Sequence, residues 1–318
     1  MTAQAFENGL SAGCWVTMIM NLQTDVPNEP GREGEEALPT VPNTVARRLA
    51  NALRRPARTV CRTVARLGEA RTIILLYHSI GNAKDAVRPS AFAEQMRYLK
   101  EEATVVRLDE IVRVGDGKST SKPLTCVITF DDGYAGVYEV AYQILRQYGF
   151  AATVYVTTAA MGESEPGSSD DFAGLFPGDR TMTWRQVREM SEHGISIGSH
   201  LCHHKDMTTL DVREGMIELI RSKATIAGRV GMPCPHFAYP FGLFNSENAE
   251  WVRNAGYETA TTVVHATVKR RIDAMRIPRM CVASIHDIDD FVAIVRGEFD
   301  YLPIVQKARR LLKLRYSL

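Results

Sequence analysis

The sequence lacks three things whose absence narrows the choice. It has no CxxC pair among six cysteines, no apolar run near the ~20 residues of a membrane span, and almost no net charge. Cys14, Cys61, Cys126, Cys202, Cys234 and Cys281 are scattered, which argues against a disulfide framework or a cysteine-ligated zinc site and favours a reducing compartment. The apolar stretch 12–20 (AGCWVTMIM) is broken by Thr17 and preceded by no Lys or Arg, so neither a secretory signal nor a span is expected there. Lys and Arg number 38 against 37 Asp and Glu, which argues against a dedicated nucleic-acid binder. At 45% hydrophobic and 24% charged, the 318 residues have the composition of a folded globular protein.

Charge and proline are distributed unevenly along the chain. Residues 1–43 read as a disordered leader, because 21–43 holds four prolines and five acidic residues against one Arg. Residues 44–71 carry eight arginines and one glutamate, with Val45, Leu49 and Leu53, then Val60, Val64 and Leu67, at helical spacing on either side of Pro56. This is either a solvated helix packed on the domain or a basic amphipathic element for an anionic membrane surface. The tail 301–318 has the same dual character as a basic C-terminal helix. Peripheral membrane contact through 44–71 and 301–315 is therefore an expectation alongside a cytoplasmic location, on the inner membrane face where attached. The oligomeric state is not legible.

Between 72 and 300, strand and helix signals alternate. Strands are expected at 72–78, 125–130, 152–157, 195–200 and 236–240. Helices are expected at 89–102, at 137–148 ending on Gly149, from Thr183 to Gly194, after a Thr208/Asp211 capping box, and at 247–255 ending on Gly256. Such alternation implies parallel βαβ units and an α/β fold.

Two clusters carry chemistry. In TFDDG (129–133) two carboxylates follow a strand directly, at the end that opens onto the active-site face of a parallel fold. Side by side they repel, and both ionise readily only beside a cation. One division gives Asp132 to a metal and keeps Asp131 as a base; a plain surface turn is the alternative. In GSHLCHH (198–204), His200 and His204 have the i, i+4 spacing that puts two imidazoles on one side of a helical turn, and His203 is a possible substitute. Asp132, His200 and His204 together make a three-ligand set with positions open for water and substrate.

These motifs, with FAYPFG (237–242), resemble the successive motifs of the polysaccharide deacetylase family, carbohydrate esterase family four. LLYHSI, MTWRQVREM, AGYETA and RIPRM add to a likeness covering roughly 72–300. The resemblance implies a distorted (β/α) barrel of about seven parallel strands. It also implies a divalent metal, Zn²⁺ before Co²⁺, Ni²⁺ or Mn²⁺, and removal of N-acetyl groups from an N-acetylhexosamine-containing saccharide. A catalytically inactive carbohydrate-binding barrel, or a hydrolase of another acyl amide or ester, is the alternative. Two positions depart from the family. Ala238 and Tyr239 stand where members usually carry an Arg ahead of Pro. The Leu-x-His of the general acid is met by Leu76-Tyr77-His78, as in circularly permuted members, better than by His286. The implied roles are Asp131 as base, His78 as acid and the Phe241 N–H as an oxyanion donor. Arg279 either orients Asp131 or forms a surface ion pair. Tyr77, Tyr134 and Tyr239 either stack on sugar rings or fill strand ends. The loop 161–181 should shape the cleft.

Overall fold

The computed structural model describes residues 70–300 apart from 84, 115–121, 164, 168–178 and 270. The leader, nearly all of the basic segment 44–71, the tail 301–318 and the middle of the loop 161–181 thus lie outside the described residues. No described helix is long and apolar enough to cross a membrane.

The first strand, β1 (Arg71–Tyr77), is followed by α1 (Pro89–Glu102), β2 (Ala103–Val105), α2 (Leu108–Val114) and β3 (Leu124–Phe130). After a π-helical turn at Val137–Tyr142 come α3 (Gln143–Tyr148), β4 (Thr153–Val156), α4 (Trp184–Glu192) and β5 (Ser196–Ser199). The chain continues through α5 (Val212–Val230), β6 (His236–Ala238), α6 (Ser246–Asn254), β7 (Thr259–Thr261), β8 (Met280–Cys281) and α7 (Ile288–Arg296). The strands form one parallel sheet in the order β7-β6-β5-β4-β3-β1-β8, with β2 pairing the start of β3. Seven parallel strands along the main path make the expected barrel, curved into a half-barrel. The segment leading to β8 runs past β7, where Ile277 bridges Thr261, so one chain joins the two edges.

The strands separate two apolar layers because successive side chains point to opposite faces. Ile73, Leu75 and Tyr77 of β1 and Cys126, Ile128 and Phe130 of β3 pack outward under the helices. Ile74, Val127, Tyr155 and Ala238 fill the interior, closed by Leu108 and Ile111 of α2. The same alternation turns Leu76, His78, Thr129 and Asp131 inward at the strand ends.

Helix boundaries follow their caps. Thr183 and Gln186 form a reciprocal capping box on α4, and Gly149 ends α3 in the left-handed region at φ 66°. The expected Thr208/Asp211 box does not form. Asp206 caps a short 3₁₀ turn through the Thr208 N–H, and Asp211 alone caps α5 through the Glu214 N–H. The four described cysteines, Cys126, Cys202, Cys234 and Cys281, are free thiols.

Candidate active site

Strand register assembles the site. Tyr77 pairs with Phe130, and the Asp131 N–H donates to the Tyr77 carbonyl at 3.0 Å, so His78 and Asp131 leave adjacent strands at one level. Val156 pairs with Ser199, and the His200 N–H donates to the Val156 carbonyl at 3.0 Å, which sets His200 at the same rim.

Asp132 and His204 arrive by tight turns. Asp132 has φ 71°, Leu201 66°, His204 52° and Phe241 57°; among the described residues Asp85 is the one other non-glycine with positive φ. Such conformations are costly outside glycine, and here they gather around Asp132, His200 and His204. The histidines therefore meet through a left-handed turn rather than the helical turn expected from their spacing.

The Asp132 Oδ1 lies 3.2 Å from the His204 Nε2 and 3.4 Å from the His200 Nε2. Ligands 2.0–2.1 Å from a tetrahedral zinc stand about 3.3 Å apart. Both Asp132 oxygens are buried without a hydrogen-bond partner, and Oδ1 faces the two imidazole nitrogens. The His200 Nδ1 stands 2.8 Å from the Ala238 carbonyl; the proton it donates there leaves Nε2 as the free ligand atom. Three such donor atoms around one point fit a divalent cation. Burial holds the His200 imidazole down to about 4 against the opposing field of Asp131. Burial raises the Asp132 carboxyl, but His204, His78 and His200 more than offset this and leave it low.

Asp131 is held apart from that set. Arg279 clasps it with two hydrogen bonds of 2.6 Å, one to each oxygen. The guanidinium is fully buried and also donates to the Thr262 carbonyl at 2.8 Å and the Thr129 hydroxyl at 3.2 Å, stacked 5.4 Å over the Tyr155 ring. The surface ion pair is thus excluded, since a guanidinium in this interior must be fully hydrogen-bonded and charge-paired. Burial pushes the Asp131 carboxyl up, while Arg279 and then His200 bring it below its ordinary value. His78 feels the same groups: burial lowers its imidazole, Asp132 and Asp131 oppose that, and Arg279 and His204 add to it.

Other expected contributors fall elsewhere. Tyr239 is fully buried between Phe237 and Phe244 and donates its hydroxyl to the Met275 carbonyl at 3.0 Å, so it has no face for a sugar. Tyr77, bonded to Gln95 at 2.9 Å, and Tyr134 are equally buried. The Phe241 ring meets His204 at 4.5 Å, placing its residue beside the triad. His286 accepts the Ala283 N–H at 3.1 Å in the turn entering α7. His203 turns away to Glu218, 2.7 Å distant, and is no substitute ligand for the triad. The sequence reading missed Glu218; its signal was a carboxylate at a buried position of α5.

A parallel half-barrel with a carboxylate–histidine triad and a separately held carboxylate at its rim is the architecture of a metal-assisted hydrolase. Residues 118–260 match the family model described as polysaccharide deacetylase, a span that includes Asp131, Asp132, His200 and His204 and excludes His78 and Arg279. The chain is 28% identical over 205 residues to the putative polysaccharide deacetylase YxkH of Bacillus subtilis, covering 63% of this chain and 67% of that protein. It is 24% identical over 213 residues to the poly-beta-1,6-N-acetyl-D-glucosamine N-deacetylase of Staphylococcus epidermidis, covering 63% of this chain and 68% of that one. Among solved structures, the Streptococcus pyogenes deacetylase PplD, in complex with acetate, superposes with a TM-score of 0.61 over 71% of this chain and 99% of its own, at 22% identity. IcaB from Ammonifex degensii gives 0.59 over 72% and 97%, also at 22% identity. Residues 118–260 thus carry the likeness to the polysaccharide deacetylase family, whose members are divalent-metal-dependent hydrolases of the N-acetyl amide bond.

Proposed function

We propose that the protein removes N-acetyl groups from an N-acetylhexosamine-containing saccharide, using Zn²⁺ held by Asp132, His200 and His204. The observation that carries this reading is the buried, otherwise unpartnered Asp132 carboxylate facing two imidazole nitrogens at 3.2 and 3.4 Å. A divalent ion there supplies a Lewis acid for the acetamide carbonyl and lowers the pKa of water. Asp131, oriented by Arg279, takes the proton of the attacking water. His78 delivers a proton to the departing nitrogen, which leaves as an amine while the acetyl group departs as acetate. The backbone N–H of Phe241 is the donor proposed for the developing oxyanion. The N-acetylglucosamine polymer named for the staphylococcal relatives supports the substrate class.

The proposed setting is cytoplasmic, with 44–71 and 301–315 contacting an anionic membrane surface by charge. High salt should then release the protein from membranes, and retention through 1 M salt would argue against this attachment.

The test of function is acetate release from a polymer, a soluble oligosaccharide and a lipid-linked N-acetylhexosamine, with and without chelator. Chelator-sensitive release from at least one supports the reading, and no release from any of the three counts against it. Asp131→Asn and His78→Ala should each lower kcat by about 10²–10⁴-fold in a folded protein.

A further inference from the structure

Helix α5 places two polar residues, Glu218 and Ser222, at buried i, i+4 positions on the face turned toward the His200–His204 segment. Polar groups at such positions are retained only where they are hydrogen-bonded; Glu218 bonds to that segment, and Ser222 bonds to Ser199 at its start as well as to the Leu219 carbonyl and the Tyr257 hydroxyl. One Glu218 oxygen accepts the Cys202 N–H at 3.0 Å and the His203 N–H at 3.1 Å, and the other lies 2.7 Å from the His203 Nδ1. One helical turn on, the Ser222 hydroxyl meets the Ser199 hydroxyl at 2.8 Å, and the Ser199 oxygen in turn accepts the Leu201 N–H at 3.3 Å. Glu218 thus grips the middle of the turn and Ser222 its entrance, on either side of the left-handed Leu201. His204 follows at once, itself at φ 52°.

We infer that Glu218 is a positioning residue which, with Ser222, clamps the 199–204 turn in the conformation that aims the His200 and His204 Nε2 atoms at one point. The inference rests on the proposed metal triad, since it concerns the preorganisation of two of its ligands. Without the carboxylate, two adjacent N–H groups lose their acceptor and the left-handed turn is no longer enforced.

Cys202, His203 and Glu218 also have ligand atoms close enough to hold a cation of their own. The chemistry favours the clamp. Both Glu218 oxygens are already occupied by N–H donors, and the Lys205 ammonium stands 3.7 Å from one of them, where it would oppose a second cation.

The experiment is a titration of the metal-free full chain with Zn²⁺ and Co²⁺ against a competing chelator, with stoichiometry and the Co²⁺ absorption spectrum read together. The unmodified protein should bind one ion; no binding would overturn the triad and this inference with it. Glu218→Ala should weaken binding by about 10–100-fold, the range typical for partners that orient metal ligands, and broaden the Co²⁺ spectrum. Glu218→Gln keeps an acceptor for the two N–H groups and should recover most of the affinity. Ser222→Ala, which leaves the carboxylate in place, should weaken binding several-fold and serves if Glu218→Ala does not fold. Unchanged affinity in both Glu218→Ala and Ser222→Ala would overturn the clamp while leaving the triad standing. So would two ions per chain, falling to one in His203→Ala.

Discussion

At the scale of single residues, the site divides its two adjacent carboxylates by giving them different partners. Asp131 receives a guanidinium, whereas Asp132 faces two imidazoles at a point where a divalent cation would supply its counter-charge, so the two adjacent carboxylates do not compete for one partner. The Arg279–Asp131 pair is fully enclosed, and breaking it from one side leaves an uncompensated charge. Arg279→Met should therefore cost about 3–5 kcal/mol of stability by denaturant unfolding. Pairing it with Asp131→Asn should recover part of that loss, because the double variant buries no lone charge. Additive losses in that cycle would show that the two side chains are not coupled.

At the scale of elements, caps and buried polar groups decide local stability. The Thr183 hydroxyl accepts the Gln186 N–H while the Gln186 side chain returns a bond to the Thr183 N–H. Thr183→Ala should thus destabilise by about 1 kcal/mol, measured as a shift in the urea midpoint with unchanged slope. On β6, His236 is buried with its Nδ1 2.9 Å from the Thr259 hydroxyl, and burial lowers its imidazole to about 4. The folded state thus favours neutral His236, whereas the unfolded chain takes up a proton near 6.5. Its contribution is whole above pH 6.5 and is lost progressively as the pH falls toward 4. His236→Gln should flatten the stability profile of the metal-free protein across that window; an unaltered slope would remove His236 as its source.

At the scale of the whole molecule, the triad joins the end of β3 to the turn after β5, so an ion bound there links elements some seventy residues apart in sequence. Binding only the folded state, zinc should raise the melting temperature in proportion to the logarithm of its concentration. At a hundredfold excess over the dissociation constant this amounts to about 2.7 kcal/mol, and His204→Ala should abolish most of it. An equal rise in that variant would place the ion elsewhere.

Much of this was legible from local pattern. Alternation along 124–130 and 71–77 points Asp131 and His78 to one face, and a carboxylate pair directly after a strand marks the rim of a parallel sheet. Spacing alone misdescribed the histidine pair, because i, i+4 is met equally by a helical turn and by a turn containing Leu201 and His204 at positive φ. Tyr239 looked like a sugar platform until Phe237 and Phe244 closed on both sides of it. The sequence by itself determined which residue types stand at the strand ends, since periodicity and capping act within a few residues. Only the tertiary structure decided that Arg279 reaches Asp131 across 148 positions and that Glu218 reaches back to the turn before His204. Those contacts arise when the sheet curves and its helices pack, and a buried charge takes whichever partner that packing brings within hydrogen-bonding distance.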